Sequence, residues 1–302
     1  MTVRESEGRR LGTLCRLIGY TRQAYYGQQR MLEREAVRSE FVVQEVSRIR
    51  LEQKRVGARK LRHMMKEYLE GHGIGIGRDA FFGILREHGL LVRKRRTRKP
   101  RTTFSALWMK RYPNLVREFE PSAPNQLWVS DITYVRLREG FVYLSLITDA
   151  YSRKIVGYHI SASLSAKGCV SALRMAIKDN PQREGLIHHS DRGLQYYSTA
   201  YLQTLGPGVR ISMTEKGDPL ENAIAERVNG ILKQELLEQR FASLAEARSE
   251  VALAVNTYNH LRPHLSVDML TPAVAHTQHG PLKRLWKNYY RAIKTEAAQA
   301  MA

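Results

Sequence analysis

Three carboxylates are the residues best suited to chemistry: Asp131, Asp191 and Glu226, separated by 59 and 34 intervening residues. Asp131 lies inside the apolar run 127–135, where a carboxylate is costly unless it is paired, at an open edge or bound to a cation. Asp191 directly follows the short apolar run 185–190. Carboxylates without histidine or cysteine partners suit hard cations such as Mg²⁺ or Mn²⁺. Two such ions, about 3.5–4 Å apart, can assist phosphoryl transfer.

Glu226 belongs to an amphipathic helix that we expect to start near Pro219. At about 100° per residue, its polar face carries one carboxylate, two amides and one ammonium. These are Asn222, Glu226, Asn229 and Lys233. Taken alone, such a face is typical of a helix that only contacts solvent. If two strands supply Asp131 and Asp191, the polar face is instead expected to meet the catalytic edge of a sheet.

The elements around these carboxylates predict a mixed sheet. Three β-rich runs separated by turns indicate an antiparallel meander, and two shorter strands alternate with helices after it. The strands are expected at 127–135, 141–149, 154–160, 185–190 and 209–213, with helices at 165–178 and 199–205. This order is that of an α/β, ribonuclease-H-like mixed five-stranded sheet with flanking helices. Beyond it, an amphipathic helix is predicted over 244–258.

The first third of the chain predicts short helices. A helix, a turn at Gly19 and a second helix led by Thr21 resemble a helix-turn-helix, or a helical hairpin that only packs. Ser39 is expected to cap a further helix, and others are expected after Gly57 and before Gly89. Together with basic side chains on their surface, these helices suit an all-α helix-turn-helix or winged-helix DNA-binding region.

Basic residues dominate the charge balance. Lys plus Arg number 49 against 29 Asp plus Glu, a net charge of +20, which predicts a polyanionic partner, most simply DNA. Residues 93–101 hold seven basic residues in nine. This run is expected to be an extended linker that neutralises phosphates, or else a merely solvated linker. The expected DNA contacts here are Arg93, Lys94, Arg95, Arg96, Arg98, Lys99 and Arg101, with Arg59 and Lys60 in the preceding helices.

Length and composition set further bounds. The 302 residues, 43% of them hydrophobic, allow two or more folded domains. The two cysteines, Cys15 and Cys169, show no metal or disulfide pattern and indicate a reducing compartment. A signal peptide and a membrane-spanning run are not expected, so we predict a cytoplasmic protein. The predicted domains are 1–30, helix-turn-helix-like; 31–91, helical; 92–120, linker; 121–280, catalytic core; and 281–302, a basic helical tail.

Several other polar residues allow two interpretations. Asp149 ends a predicted strand and is either a substitute ligand or, preferably, a turn residue that bonds local backbone. His188 and His189 could be ligands, but strand alternation sends one of them inward, so at least one is expected in the core or on the surface; His189, near Asp191, could touch DNA. Arg262 and His264 either bind phosphate or cap a helix end.

Several motifs resemble a known family. The segments Trp128–Tyr134, His188–Tyr196 and Glu221–Glu226 resemble the three signatures of the DDE integrase core. Asn222–Lys233 and Tyr258–His264 are similar, more narrowly, to bacterial insertion-sequence transposases of the IS-three family, second-reading-frame (OrfB) type. The resemblance covers nearly the whole chain, and its motifs together are far more specific than any one of them.

The resemblance implies roles for individual residues. Asp131, Asp191 and Glu226 would be the catalytic, metal-binding triad with two Mg²⁺ (or Mn²⁺) ions. Lys233, seven residues after Glu226, would contact DNA near the reacting end. Arg192 and Asn222, beside the triad, are further expected DNA contacts. Glu221 stands where the family usually has aspartate, and its helical-wheel position argues against a ligand role.

The resemblance also implies a reaction. Water cleaves one strand at a transposon end, and the freed 3′-OH attacks another phosphodiester without a covalent protein–DNA intermediate. Tyr196 and Tyr197 are therefore expected to pack or stack rather than act as nucleophiles. The implied partners are terminal inverted repeats, target DNA, at least one further copy of the chain and possibly a first-frame helix-turn-helix and leucine-zipper protein. A ribonuclease-H-like nuclease without strand transfer and a non-catalytic DNA-binding regulator remain the alternatives.

Overall fold

The computed structural model describes residues 11–93, 112–117, 119–215 and 219–285. Contacts divide the chain into two compact units, one formed by residues up to 52 together with 57–92, the other by 53–56 together with the chain from residue 93 onward. Most of the predicted basic linker, from Lys94 to Arg101, lies outside the described residues, as does the predicted helical tail beyond residue 285.

The first unit is helical. Residues 11–17 form a helix, Gly19 turns the chain with φ of 73°, and Thr21 Oγ1 accepts a hydrogen bond from the Ala24 amide at 3.1 Å, as expected for a capped second helix. The labelled helices are α1 (Arg22–Glu52), α2 (Ala58–Met64), α3 (Lys66–Gly71) and α4 (Arg78–Glu87). Val42, Val46, Leu61, Met65, Phe81 and Leu85 are fully buried in this unit.

The expectation that a helix starts at Ser39 was wrong. Helix α1 runs through this position without interruption, because neither glycine nor proline occurs between residues 28 and 52. The Ser39 hydroxyl lies 2.8 Å from His88 Nε2 instead of capping a helix. The domain boundary expected between residues 30 and 31 also falls inside α1. The single helix expected after Gly57 is divided at Met65 into α2 and α3.

The second unit is built on a five-stranded mixed sheet in the order β3-β2-β1-β4-β5. Its strands are β1 (Leu127–Arg136), β2 (Phe141–Asp149), β3 (Ile155–Ser161), β4 (Ile187–Ser190) and β5 (Arg210–Met213). The first three pair antiparallel, whereas β4 pairs parallel with both β1 and β5. The predicted ribonuclease-H-like fold is confirmed.

Helices cover both faces of the sheet. They are α5 (Ala166–Asp179), α6 (Leu194–Tyr197), α7 (Thr199–Leu205), α8 (Ala223–Ile231), α9 (Leu244–His260) and α10 (Pro272–Ala275). One apolar cluster joins Trp128 and Ile147 to α5 and α7, and another joins Val135 and Leu146 to α8 and α9. Gly157 allows α5 to approach β3, since a Cβ there would lie 2.2 Å from the Ala172 carbonyl oxygen. No helix among the described residues is long and apolar enough to cross a membrane.

The chain departs from α-helical geometry on either side of α8. Pro219–Asn222 form a 3₁₀ turn, so the α-helix starts later than the sequence predicts. At the other end, Leu232–Leu236 continue α8 as a π-helical turn. Asn222 of the polar face therefore lies in the tighter 3₁₀ turn, Glu226 and Asn229 lie in α8, and Lys233 lies in the wider π-helical turn.

Candidate active site

Parallel pairing of β1 and β4 brings two of the candidate carboxylates to neighbouring positions. Ser130 of β1 is in register with Ser190 of β4, and an aspartate follows each serine, namely Asp131 and Asp191. Asp131 is the fifth residue of the long strand β1, whereas Asp191 stands just beyond the end of the short strand β4. The parallel pairing of β1 with β4 thus explains why two residues so far apart along the chain occupy neighbouring positions.

The polar face of α8 lies against β1. Asn222 Nδ2 donates to the Ser130 carbonyl oxygen at 3.0 Å, and Asn229 Nδ2 donates to Asp131 Oδ2 at 2.7 Å. Asn222 and Asn229 of the polar face therefore contact the sheet. Glu226 lies between the two asparagines on this face and has an exposed side chain.

Lys233 extends the same row of contacts. Its Nζ donates to Thr133 Oγ1 at 3.0 Å, two residues beyond Asp131 on the same face of β1. Burial lowers the pKa of Lys233, and the nearby Asp131 carboxylate opposes that effect. The ammonium therefore lies on the sheet side of the helix, within electrostatic range of Asp131.

The carboxylates influence one another electrostatically. Burial, reinforced by the charge of Asp191 and to a smaller degree that of Glu226, raises the pKa of Asp131 to about 7. The hydrogen bond from Asn229 opposes this rise. Burial also raises the pKa of Asp191, with Glu226 adding to it and the Gly193 amide, which donates at 3.0 Å, opposing it. Two poorly solvated carboxyl groups, Asp131 and Asp191, thus lie within electrostatic range of each other and of Glu226.

The donor set can be compared with what a cation requires. Within the ranges that the structure describes, no three His, Cys, Asp or Glu side chains lie close enough together to hold a metal ion. Chemically, however, carboxylate oxygens that repel one another fit a hard divalent cation, which would neutralise them. Asn222 and Asn229, 6% and 5% exposed, also have side-chain oxygens without a hydrogen-bond partner in the described structure. Asp131 and Asp191, together with these amide oxygens, are therefore donors of the kind that such a cation prefers.

The structure gives positions to some of the expected DNA contacts. Asn222 is buried against β1, and Arg192 Nε donates to the Thr214 carbonyl oxygen at 2.7 Å. In the helical unit Arg59 is exposed, whereas Lys60 is buried with 9% exposure. Arg93 is exposed, and the remaining linker residues lie outside the described part of the chain. A DNA role for these side chains stays a prediction.

Both histidines of the His188-His189 pair are buried. His188 Nε2 lies 2.8 Å from Ser130 Oγ and 2.9 Å from the Tyr201 hydroxyl, while His189 Nδ1 lies 2.8 Å from Ser212 Oγ. Burial lowers the pKa of His188 to about 3 and that of His189 to about 4. The two residues therefore join β4 to its neighbours as neutral side chains.

The remaining ambiguous residues are resolved locally. Asp149 is a turn residue, since its carboxylate accepts from the Asn125 amide at 2.7 Å and the Ser152 amide at 2.8 Å. Arg262 forms an ion pair with Glu235, and His264 accepts from the Ser266 amide at 3.3 Å.

Sequence reasoning missed the individual contacts of Asn229 and Thr133 with the site. Asn229 appeared only as a member of the polar face, and Thr133 only as a strand residue. The available signal was position: Asn229 follows Glu226 by almost one helical turn, and Thr133 follows Asp131 by two residues on one strand face.

Comparison with known protein families identifies the fold of the second unit as an integrase core. Residues 121–219 match the integrase core domain family, and residues 207–272 match a second family of the same description. Among solved structures, the chain is similar to the HTLV-2 integrase catalytic core domain in complex with magnesium, at TM-score 0.39 and 19% identity over 51% of this chain and 97% of that one. A likeness this distant assigns neither a metal nor an activity to this chain.

Curated relatives make the assignment more specific. The chain is 31% identical to the transposase for insertion sequence element IS629 of Shigella sonnei, over 96% of this chain and 95% of that protein. It is 35% identical to the uncharacterized 31 kDa protein of insertion element IS600 of Shigella sonnei, over 86% and 96%. It is 30% identical to transposase InsF for insertion sequence IS3A of Escherichia coli K12, over 86% and 91%. The chain belongs to the IS-three family of insertion-sequence transposases.

Proposed function

We propose that the chain is a metal-dependent DNA transposase that cleaves the 3′ ends of an insertion sequence and transfers them to another DNA strand. The observation that carries the proposal is the pairing of β1 with β4, which makes Asp131 and Asp191 neighbours whose pKa values are raised chiefly by burial, with Glu226 of α8 within electrostatic range of both. Such a concentration of negative charge is unfavourable unless a cation compensates it.

Asp131, Asp191 and Glu226 would hold two Mg²⁺ or Mn²⁺ ions. When bound, such ions supply the charge that activates an attacking oxygen and stabilises a leaving one. Asn229 orients the Asp131 carboxylate through its 2.7 Å hydrogen bond. Lys233 keeps an ammonium beside Thr133, where a DNA phosphate at the carboxylates would meet a positive charge.

The reaction then has two steps. Water attacks a phosphodiester at the element end and releases a 3′-OH, which attacks a second phosphodiester, so that one P–O bond forms as one breaks in each step. No side chain is covalently modified. The burial of Tyr196, with 3% exposure, agrees with a packing role for this residue.

The DNA substrate is recognised outside the core in this proposal. The helical unit and the basic run 93–101 bind the terminal inverted repeats, with the run contributing sequence-independent affinity. Joining two ends requires at least two copies of the chain, either alone or with a first-frame partner. A protein with these activities would act at the bacterial nucleoid.

A strand-transfer assay tests the proposal. The purified full-length chain is incubated with Mg²⁺ and a labelled duplex carrying the terminal repeat of its insertion sequence. We expect joined product from wild type, none from Glu226→Gln, and undiminished product from Glu139→Gln, which removes an exposed carboxylate elsewhere on the same unit.

Each alternative has its own result. Cleavage without joining would favour a nuclease that only hydrolyses DNA. Binding without cleavage in both wild type and Glu226→Gln would leave a DNA-binding regulator.

A further inference from the structure

The turn that follows α8 contains one basic and one acidic side chain, Lys233 and Glu235, which contact different parts of the unit. Leu232–Leu236 form the π-helical turn. Such turns are rare in proteins, and those that occur are frequently found at functional sites. Lys233 reaches from this turn to Thr133 of β1 at 3.0 Å, beside Asp131. Glu235, in the same turn, is bound by Arg262.

Arg262 and Glu235 form a bidentate ion pair. Its Nε donates to Glu235 Oε2 at 2.9 Å and its Nη2 donates to Oε1 at 3.0 Å. The Arg262 side chain is 2% exposed, and its Cζ lies 5.8 Å from the centre of the buried Tyr258 ring. This is the fork-like geometry in which a guanidinium binds a carboxylate in one plane and one orientation.

Stability alone does not account for this pair. Tyr258, whose ring lies near the Arg262 guanidinium, and Leu232 and Leu237, which flank Glu235 along the chain, belong to one buried apolar cluster. In such surroundings, two apolar side chains of similar volume are often as stabilising as a buried ion pair. Apolar packing, however, does not fix the orientation of a turn as a two-bond ion pair does.

We propose that Arg262 is a positioning residue for strand transfer. Through Glu235 it fixes the last turn of the helix that carries Glu226, and thereby holds Lys233 beside Asp131. Arg262 itself contacts neither DNA nor the candidate metal ligands. This inference rests on the proposed transposase function.

The test compares broken and replaced ion pairs. R262M, E235M and the double variant R262M/E235M are assayed for melting temperature, DNA affinity and the rate of strand transfer at saturating DNA. We expect each single variant to melt below wild type because it leaves one charge without its partner, and E235M to melt lowest because Arg262 is 2% exposed whereas Glu235 is 21% exposed. The double variant should recover the wild-type melting temperature and DNA affinity, yet retain a rate lower by on the order of 100-fold, as for a displaced catalytic group.

Two further variants connect the effect to Lys233. If Arg262 acts through Lys233, adding K233A to R262M/E235M should lower the rate no further than K233A alone. R262K keeps the buried charge but cannot form the fork, so its rate should fall while DNA affinity persists.

The outcomes separate the two proposals. A double variant that regains the full wild-type rate, or an R262K variant with an undiminished rate, overturns the positioning role, because the pair is then only structural. Independent, multiplicative losses with K233A overturn it as well. Absence of strand transfer in wild type would instead be a failure of the proposed function.

Discussion

Asn229 donates a hydrogen bond to the Asp131 carboxylate across 2.7 Å, joining the helix of Glu226 to the strand of Asp131. The opposite end of the same amide, Oδ1, is buried and has no hydrogen-bond partner in the structure as described. A buried polar atom of this kind requires an explanation such as an ordered water or an ion. The amide is therefore suited both to orient the carboxylate and to accept from a water molecule at the site.

Replacing Asn229 by alanine should weaken divalent-ion binding. A group that orients a ligand typically changes metal affinity by about 10–100-fold when it is removed. We expect Mn²⁺ affinity, followed by electron paramagnetic resonance of the free ion, to fall by that factor in N229A.

Asn259 provides the matched control. Asn259 lies on α9 rather than α8. Its buried side-chain amide accepts from the backbone amide of Ile155 and donates to the carbonyl of the same residue. N259A should lower the melting temperature while leaving Mn²⁺ affinity unchanged. Equal reductions of affinity in the two variants would mean that Asn229 acts only through stability.

Replacing Asp131 by asparagine should stabilise the protein at neutral to alkaline pH. The folded pKa of about 7 lies above the ordinary 3.8, so the folded state holds this proton more tightly than the unfolded chain. That contribution is complete below 3.8 and is lost as pH rises towards about 7. Asparagine carries no charge at any of these pH values.

Melting temperatures across pH check this prediction. D131N should melt above wild type at pH 8, by roughly 2–4 °C for each kcal/mol recovered, and the difference should disappear in acid. Added Mg²⁺ should raise the melting temperature of wild type but not of D131N. If D131N were no more stable than wild type at pH 8, burial would not destabilise the Asp131 carboxylate in the folded protein, and the prediction would be wrong.

The sequence predicted the sheet and the places of its carboxylates closely. Predicted strand limits fall within two residues of β1 to β5, because apolar β-branched runs are separated by turn residues. The polar face of α8 was predicted from helical periodicity alone. Both are local patterns, and local patterns are what a sequence displays directly.

Long-range contacts were not predictable in the same way. Arg262 and Glu235 are 27 residues apart and lie on separate elements, so no periodicity relates them. Lys60 was expected on a DNA-binding surface and is buried, because a short helix gives little indication of which face packs. The hydrogen bond from Asn222 to the Ser130 carbonyl of β1 was not predicted either, because it depends on how α8 packs on the sheet.

The His188 network should make folding sensitive to acid. Its pKa of about 3 lies below the ordinary 6.5, so the folded state disfavours the charged ring. The resulting stability is complete above 6.5 and is lost as pH falls towards about 3. Protonation would disturb its contacts with Ser130 and Tyr201.

H188Q separates this titration from the removal of the ring. Glutamine cannot titrate, so H188Q should be less stable than wild type at pH 7 but lose less stability between 6.5 and 3. Urea unfolding at several pH values measures both changes. Parallel pH profiles in the two proteins would show that His188 is not responsible.

Neutralising the basic run should weaken DNA binding without changing sequence preference. Residues 93–101 carry seven positive charges, and ion pairs with phosphate supply affinity but no base discrimination. For every phosphate that the variant no longer neutralises, the slope of log affinity against log salt should become shallower by about 0.9. Replacing the arginines and lysines of this run by glutamine and titrating terminal-repeat and unrelated duplexes at several salt concentrations measures the effect.

A variant with the same residues in shuffled order keeps the charge and should bind as wild type does. If the shuffled run binds as weakly as the glutamine run, the order of residues matters and the linker reads DNA specifically.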